Sequence, residues 1–316
     1  MHPFSQDNPG TGQAGETAIL QLVRQRMGNI SPPPPEGIGD DCATWQPPPG
    51  ETLLLTTDPV ILGKHFDASH APGLVGAKLL KRNLSDIAAM GGQPGPAVLA
   101  LAMGPDLQLE WLTAFLDGLA EACRKYKVPL AGGDIAAANP GTFCATLTQA
   151  GSAVNPVTRT GAQDGSPILV TGTLGGSLSG RHLHFEPRLK EGQWLASQGV
   201  VASMIDLSDG MARDLPELIP SCAQAALDLP AIPINEEVRQ AGNAAIQSAL
   251  CDGEDYELLF TLAPGTVVES FIESWPFPTP LHRVGKIQQG DPEGILVDNA
   301  SGNILHPGDG YEHFMQ

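Results

Sequence analysis

Acidic residues recur in this chain where apolar runs meet tight turns: Asp40 and Asp41 in GIGDD, Asp58 in TTD, Asp134 in GGD, and Asp206 and Asp209 in IDLSDG. Asp86, in NLSD, falls where a helical turn is expected to end or be capped. Hydroxyls accompany them at Thr56, Thr57, Ser85 and Ser208. Magnesium takes oxygen ligands and keeps several waters, so a phosphate site needs a few carboxylates gathered from separate segments. Taken singly, each aspartate has a plainer use, because Asp beside Gly or Ser closes turns and caps helices. The repetition, with hydroxyls alongside, is what favours a metal site.

Charge points the same way. With 17 Lys and Arg against 35 Asp and Glu the net charge is -18, which repels nucleic acid and anionic membrane surfaces alike. An anionic substrate would need divalent cations to approach so acidic a chain. No G-x-x-x-x-G-K-[ST] occurs: the glycine-rich stretch 172–180 (GTLGGSLSG) runs into Arg181, and serves either as an anion-binding turn or as a tight strand-to-helix turn. The five cysteines are scattered, with no C-x-x-C pair, and read as reduced thiols. No basic leader and no apolar run of membrane-spanning length is evident, so the expected compartment is the cytoplasm.

The elements that must position these residues follow from periodicity. Residues 16–27 read as an amphipathic helix ended by the prolines 32–35. Residues 51–58 read as a buried strand with Asp58 at its tip and Pro59 ending it. A helix is expected over 76–90 and a strand over 96–103. Asp106 is expected to cap a helix reaching about Tyr126, with Leu112, Phe115, Leu116, Leu119 and Cys123 on its core face. A strand at 128–131 should run into GGD, and another should cover 142–150. From Pro167 the pattern restarts as strand, glycine-rich turn, helix and further strands, which gives a mixed α/β class in two domains, 1–150 and 151–316.

GIGDDCA (37–43), TTDPVILGKHF (56–66), KLLKRNLSDIAAMGG (78–92), GGD (132–134), TRTGA (158–162), IDLSDG (205–210), GEDYEL (253–258) and GYEHF (310–314) occur in that order along nearly the whole chain. Together they resemble the thiamine-monophosphate kinases. The resemblance implies the fold of aminoimidazole-ribonucleotide synthetase: an N-terminal α/β domain whose strands complete a barrel with a second subunit, hence a homodimer, and a C-terminal α/β domain. It implies ATP and thiamine monophosphate as substrates, with several Mg2+ held by Asp41, Thr56, Thr57, Asp58, Asp86, Asp134, Asp206 and Asp209. Of these, Asp58, Asp86 and Asp209 are the catalytic members. Gly133, Asp134, Arg159 and Ser208 would contact ATP, and His65, Glu254 and Tyr311 the acceptor. The acceptor oxygen belongs to a phosphate already ionised near neutral pH, so positioning and charge stabilisation would carry the catalysis without a strong base.

The chain departs from the family pattern at Leu62, at Ile135, in IAAANPG after GGD, at Cys251-Asp252, and in a shortened 180–187 segment. Three readings follow: a kinase with local substitutions, a relative acting on another phosphate or carboxylate, and a non-catalytic nucleotide-binding homologue. Selenophosphate synthetase and the hydrogenase-maturation dehydratase share the expected fold, but each calls for a cysteine that these motifs lack.

Overall fold

A computed structural model describes residues 1–4, 10–290 and 296–305. The chain forms two compact units, one of Met1–Ile87 with Gln93–Val154 and one of Ala88–Gly92 with Asn155–Gln316.

The first unit holds α1 (Thr11–Met27), β1 (Thr52–Ile61), α2 (Pro72–Ala89), β2 (Gln93–Met103), α3 (Leu109–Tyr126), β3 (Leu130–Ala137) and β4 (Phe143–Ala153). Its strands form one sheet in the order β1-β4-β2-β3, with β4 antiparallel to both neighbours and β3 parallel to β2. Strict alternation makes the sheet two-faced. Phe143, Ala145, Leu147 and, on β2, Ala97, Leu99, Leu101 and Met103 are buried, whereas Thr146, Thr148 and Val98 lie on the opposite, more open face. The core face is anchored by α3, whose expected stripe is fully buried. Trp111 and Phe115 meet Phe143 edge-on at 4.7 and 5.2 Å between centroids, and Phe66 stacks on Trp111 at 6.0 Å.

Helices α2 and α3 cross backbone against backbone. A Cβ on Gly118 would lie 2.0 Å from the Gly73 carbonyl oxygen, and one on Gly76 would lie 2.1 Å from that of Phe115. This close crossing is what holds α2 against the sheet.

The second unit contains β5 (Pro167–Thr171), α4 (Leu189–Ser197), β6 (Val201–Asp206), α5 (Met211–Asp214), β7 (Ala223–Leu227), α6 (Glu236–Arg239), α7 (Asn243–Cys251), β8 (Leu258–Leu262), α8 (Val268–Glu273), β9 (Leu281–Gln289), β10 (Leu296–Asp298) and β11 (Ile304–Leu305). The sheet runs β11-β10-β7-β9-β5-β8-β6. Strands β5, β8 and β6 are buried on both faces: Ile168, Val170, Ile205 and Leu259 enter one core, and Leu169, Met204, Leu258 and Phe260 the other. That is why PILVT reads as an unbroken apolar run rather than an alternation.

The structure corrects several local expectations. Strand β1 continues through Pro59 to Ile61, so Asp58 sits within the strand rather than at its tip. Pro59 is tolerated because β1 is an edge strand, paired only with β4. Asp86 lies inside α2 and caps nothing. Asp106 does not cap α3, whose N-cap is Gln108; both its carboxylate oxygens accept instead from the Gly141 N–H, at 3.0 Å. Gly132, Gly133 and Asp134 lie within β3 rather than after it.

Gly118→Val forces the two helices apart and is expected to lower the unfolding free energy of the first unit by about 1–3 kcal/mol. Urea unfolding followed by tryptophan fluorescence checks this; a loss below about 0.5 kcal/mol would show that the crossing yields freely.

Candidate functional site

In the first unit, a cavity of about 780 Å3 opens on the more open side of the sheet, lined among others by Asp40, Asp41, Gly133, Asp134, Thr146 and Thr148. Gly133 is required there, since a Cβ would stand 1.9 Å from the Leu99 carbonyl oxygen of the neighbouring strand. Asp41 and Asp134 are both exposed, and the Asp41 N–H donates to Asp40 Oδ1 at 2.9 Å. The structure thus brings together Asp41, Gly133 and Asp134, the two acids lying 93 positions apart in sequence.

Strand alternation separates the TTD residues. Thr56 and Asp58 face α2: Thr56 Oγ1 donates to Asp86 Oδ2, and Arg82 Nη2 donates to Asp58 Oδ1 at 3.1 Å. Thr57 is directed the other way, with its hydroxyl 3.0 Å from that of Thr148, a cavity-lining residue. His65 is 8% exposed; its Nδ1 accepts from the Ile61 N–H at 3.1 Å, and Lys78 Nζ donates to its carbonyl at 2.8 Å. These contacts close the turn that follows β1, and neighbouring Phe66 ties that turn to the aromatic core.

In the second unit Asp206 ends β6 and is buried, and Ser208 and Asp209 follow in the turn before α5. That turn is organised by Asp214, which the sequence reading missed: its Oδ2 accepts from the N–H groups of both Ser208 and Asp209 at 3.0 Å. Burial, and next the nearby Asp206 charge, pushes Asp214 up to about 8. Asp209 pairs with Arg213 at 3.8 Å, and Arg159 with Glu217 at 3.8 Å on the surface.

Each acid of GEDYE has its own partner. Glu254 Oε2 lies 3.0 Å from His182 Nδ1. Asp255 accepts from the Ser177 hydroxyl and the Gly175 N–H. Glu257 takes a forked bond from Arg188, Nε to Oε2 at 2.7 Å and Nη2 to Oε1 at 2.5 Å, and a third from Thr171. Glu254 and Tyr256 both adopt left-handed backbone, φ 54° and 52°, which sends these neighbouring acids toward different partners. The glycine-rich stretch is a tight turn whose amides are already taken: Gly175 donates to Asp255, and Gly176 to Asp252 at 3.1 Å and to Ser248 at 3.0 Å. Asp252, one of the departures from the family pattern, therefore has a local structural use. Arg188, seventy positions from Glu257 in sequence less one, left no local signal.

Tyr311 lies outside the described residues. Among the described residues no three His, Cys, Asp or Glu side chains form a group able to hold a metal on their own. The donor chemistry nevertheless fits magnesium: Asp41, Asp134 and the threonine hydroxyls in or beside the cavity offer oxygen alone, and such sites are completed by water and substrate phosphate. The five cysteines are thiols, none in a disulfide, and among the described residues no helix is long and apolar enough to cross a membrane.

Burial pushes Asp255 up to about 7 from the 3.8 of a free side chain. The native state therefore holds a proton that the unfolded chain releases between these values. Stability from this group is full below about pH 4 and is lost as pH rises through about 7. Asp255→Asn abolishes that component, so the fall in unfolding free energy between pH 5 and pH 8 should be smaller in the variant by on the order of 1 kcal/mol or more. Urea titrations at the two pH values measure the difference; identical falls would refute it.

Residues 39–153 match the family model described as AIR synthase related protein, N-terminal domain. A thiamine-monophosphate kinase of Rhodopirellula baltica is 36% identical over 285 residues, covering 86% of this chain and 89% of the relative. The crystal structure of thiamine-monophosphate kinase from Stenotrophomonas maltophilia superposes with a TM-score of 0.76 at 29% identity, over 89% of this chain and 97% of that one. A structure described as AaThiL complexed with AMPPCP and TMP gives a TM-score of 0.74 at 28% identity, over 96% and 98%. On this extent of likeness the chain belongs to the thiamine-monophosphate kinase family, and its α/β architecture is the aminoimidazole-ribonucleotide synthetase-like fold.

Proposed function

We propose that the protein transfers the terminal phosphoryl group of ATP directly to thiamine monophosphate, giving thiamine diphosphate and ADP. The observation that carries this is the cavity of the first unit, where Asp41, Gly133 and Asp134 meet in a chain belonging to this family. A relative whose structure is described with both AMPPCP and TMP supports the pairing of substrates.

In this reading the first unit (1–150 in the sequence division) is the ATP- and metal-binding domain. Asp41, Thr57 and Asp134 hold magnesium at or beside the cavity, Thr56, Asp58 and Asp86 hold it on the α2 side of β1, and Asp206 and Asp209 do so in the second unit. Bound Mg2+ supplies positive charge that offsets the repulsion between two phosphate substrates. The protein's own part is orientation. Gly133 lets β3 approach β2 closely and so places Asp134 on the cavity wall. Asp214 fixes the amides of Ser208 and Asp209, presenting the Ser208 side chain to ATP together with Arg159. His65, Glu254 and Tyr311 serve the acceptor. No side chain needs to remove a proton, because the attacking oxygen is an ionised phosphate oxygen.

The open face of the first sheet carries Leu53 and Leu55 on β1 at 47% and 68% exposure, an apolar pair we assign to a second copy of the chain in a homodimer. We place the enzyme in the cytoplasm, consistent with its thiols, none in a disulfide.

Incubation with ATP, Mg2+ and thiamine monophosphate should yield thiamine diphosphate and ADP in equal amounts, and thiamine itself should not be phosphorylated, since without its phosphate the acceptor leaves the site's cations unpaired. ADP without thiamine diphosphate, or comparable turnover of thiamine, would sink the assignment. Asp58→Asn and Asp86→Asn should each lower kcat by 10²-fold or more, about 2.7 kcal/mol, with the fold retained by circular dichroism. Near-normal specific activity in the folded variants would return both residues to a structural role.

A further inference from the structure

Of the carboxylates assigned to metal in the first unit, Asp58 already has a cation. Arg82 lies on α2, one helical turn before Asp86, and its side chain is 12% exposed. Its two terminal nitrogens grip consecutive residues of β1: Nη1 donates to the Pro59 carbonyl at 2.5 Å and Nη2 to Asp58 Oδ1 at 3.1 Å. The Asp58 side chain is itself 22% exposed, so the pair is shielded from water and its charges interact more strongly than at the surface. Because α2 is held down by the Gly76 and Gly118 crossings, Arg82 has little freedom to withdraw.

We propose that Arg82 is a resident counter-cation of Asp58: it fixes the carboxylate through Oδ1, and its charge competes with magnesium for that carboxylate, raising the Mg2+ concentration the site requires. This rests on the assignment of Asp58 as a metal ligand. A guanidinium stays protonated at every working pH, so the competition is permanent and does not depend on titration. Its grip on the Pro59 carbonyl, a neutral acceptor next to the acid, holds it in place whether or not the carboxylate is occupied.

The test is binding of Mg2+ alone, without nucleotide, to the full chain, read by calorimetry and by the Mg2+ dependence of the melting temperature. Arg82→Gln keeps a donor toward Pro59 and removes the charge; its half-saturating Mg2+ concentration should fall at least threefold, with a larger Mg2+-induced rise in melting temperature than in the parent. Arg82→Lys, which keeps the charge, should stay within about twofold of the parent, and it alone carries the comparison if the glutamine variant does not fold: a Lys variant that tightens Mg2+ threefold or more would overturn the charge argument. In Asp58→Asn/Arg82→Gln the gain should vanish. Unchanged or weaker Mg2+ binding in Arg82→Gln overturns the inference. Asp58→Asn separates this from failure of the functional reading: if that single variant binds Mg2+ like the parent, Asp58 is not a ligand and the metal assignment itself falls, whereas weakened binding there with no gain in Arg82→Gln removes only the role of Arg82.

Discussion

The forked bond between Arg188 and Glu257 anchors the second unit's functional turn. Glu257 is buried just before β8, a strand flanked by β5 and β6 in a sheet closed on both faces, where an unpaired carboxylate would be very costly. Arg188, just before α4, is the cation that permits it, and Thr171 on β5 fills the remaining acceptor capacity. With Glu257 held, the two left-handed residues before it can set Asp255 against the glycine-rich turn and Glu254 against His182. Truncating Arg188 would leave a buried charge at Glu257, while Arg181, which donates to the Thr173 and Gly175 carbonyls and lies 3.6 Å from Asp255, ties the glycine-rich stretch to the same turn.

The same constraint shapes the rest of the molecule. A chain with 35 acids and 17 Lys and Arg cannot give every carboxylate a cation. N–H groups and hydroxyls supplement the scarce cations: Asp214 takes two amides, Asp255 a hydroxyl and an amide beside Arg181 at 3.6 Å, and Asp86 accepts from the Thr56 hydroxyl. Asp41 and Asp134 stay exposed on a cavity wall that holds Asp40 as well and Arg24 as a counter-charge, and this excess of carboxylate is what a phosphate-bound divalent ion would correct. The acids thus divide into those already satisfied by the fold and those left for ligands, and the two kinds sit side by side in the same motifs.

That division marks the limit of what one sequence discloses. The α/β class, the core stripe of α3 and the strand at PILVT were legible because hydrophobic periodicity is a local property of the chain. The acid-bearing motifs and their order, and with them the family, were legible for the same reason. Local reading erred where a neighbour in space overrode a local signal: Pro59 did not end β1 because an edge strand can spare its N–H, and Asp106 turned to Gly141 instead of capping α3.

Only the tertiary structure decided which acid meets which partner. Alternation along β1 sends Thr56 and Asp58 toward α2 and Thr57 toward Thr148, and nothing in TTD alone states which face receives the helix. Asp255 and Glu257 look no different in sequence from Glu254, yet Ser177 and Arg188, brought in from 78 and 69 residues away, make them internal supports. Periodicity and motif are written into neighbouring residues, whereas the charge state and availability of a carboxylate depend on distant groups that folding alone brings within hydrogen-bonding range.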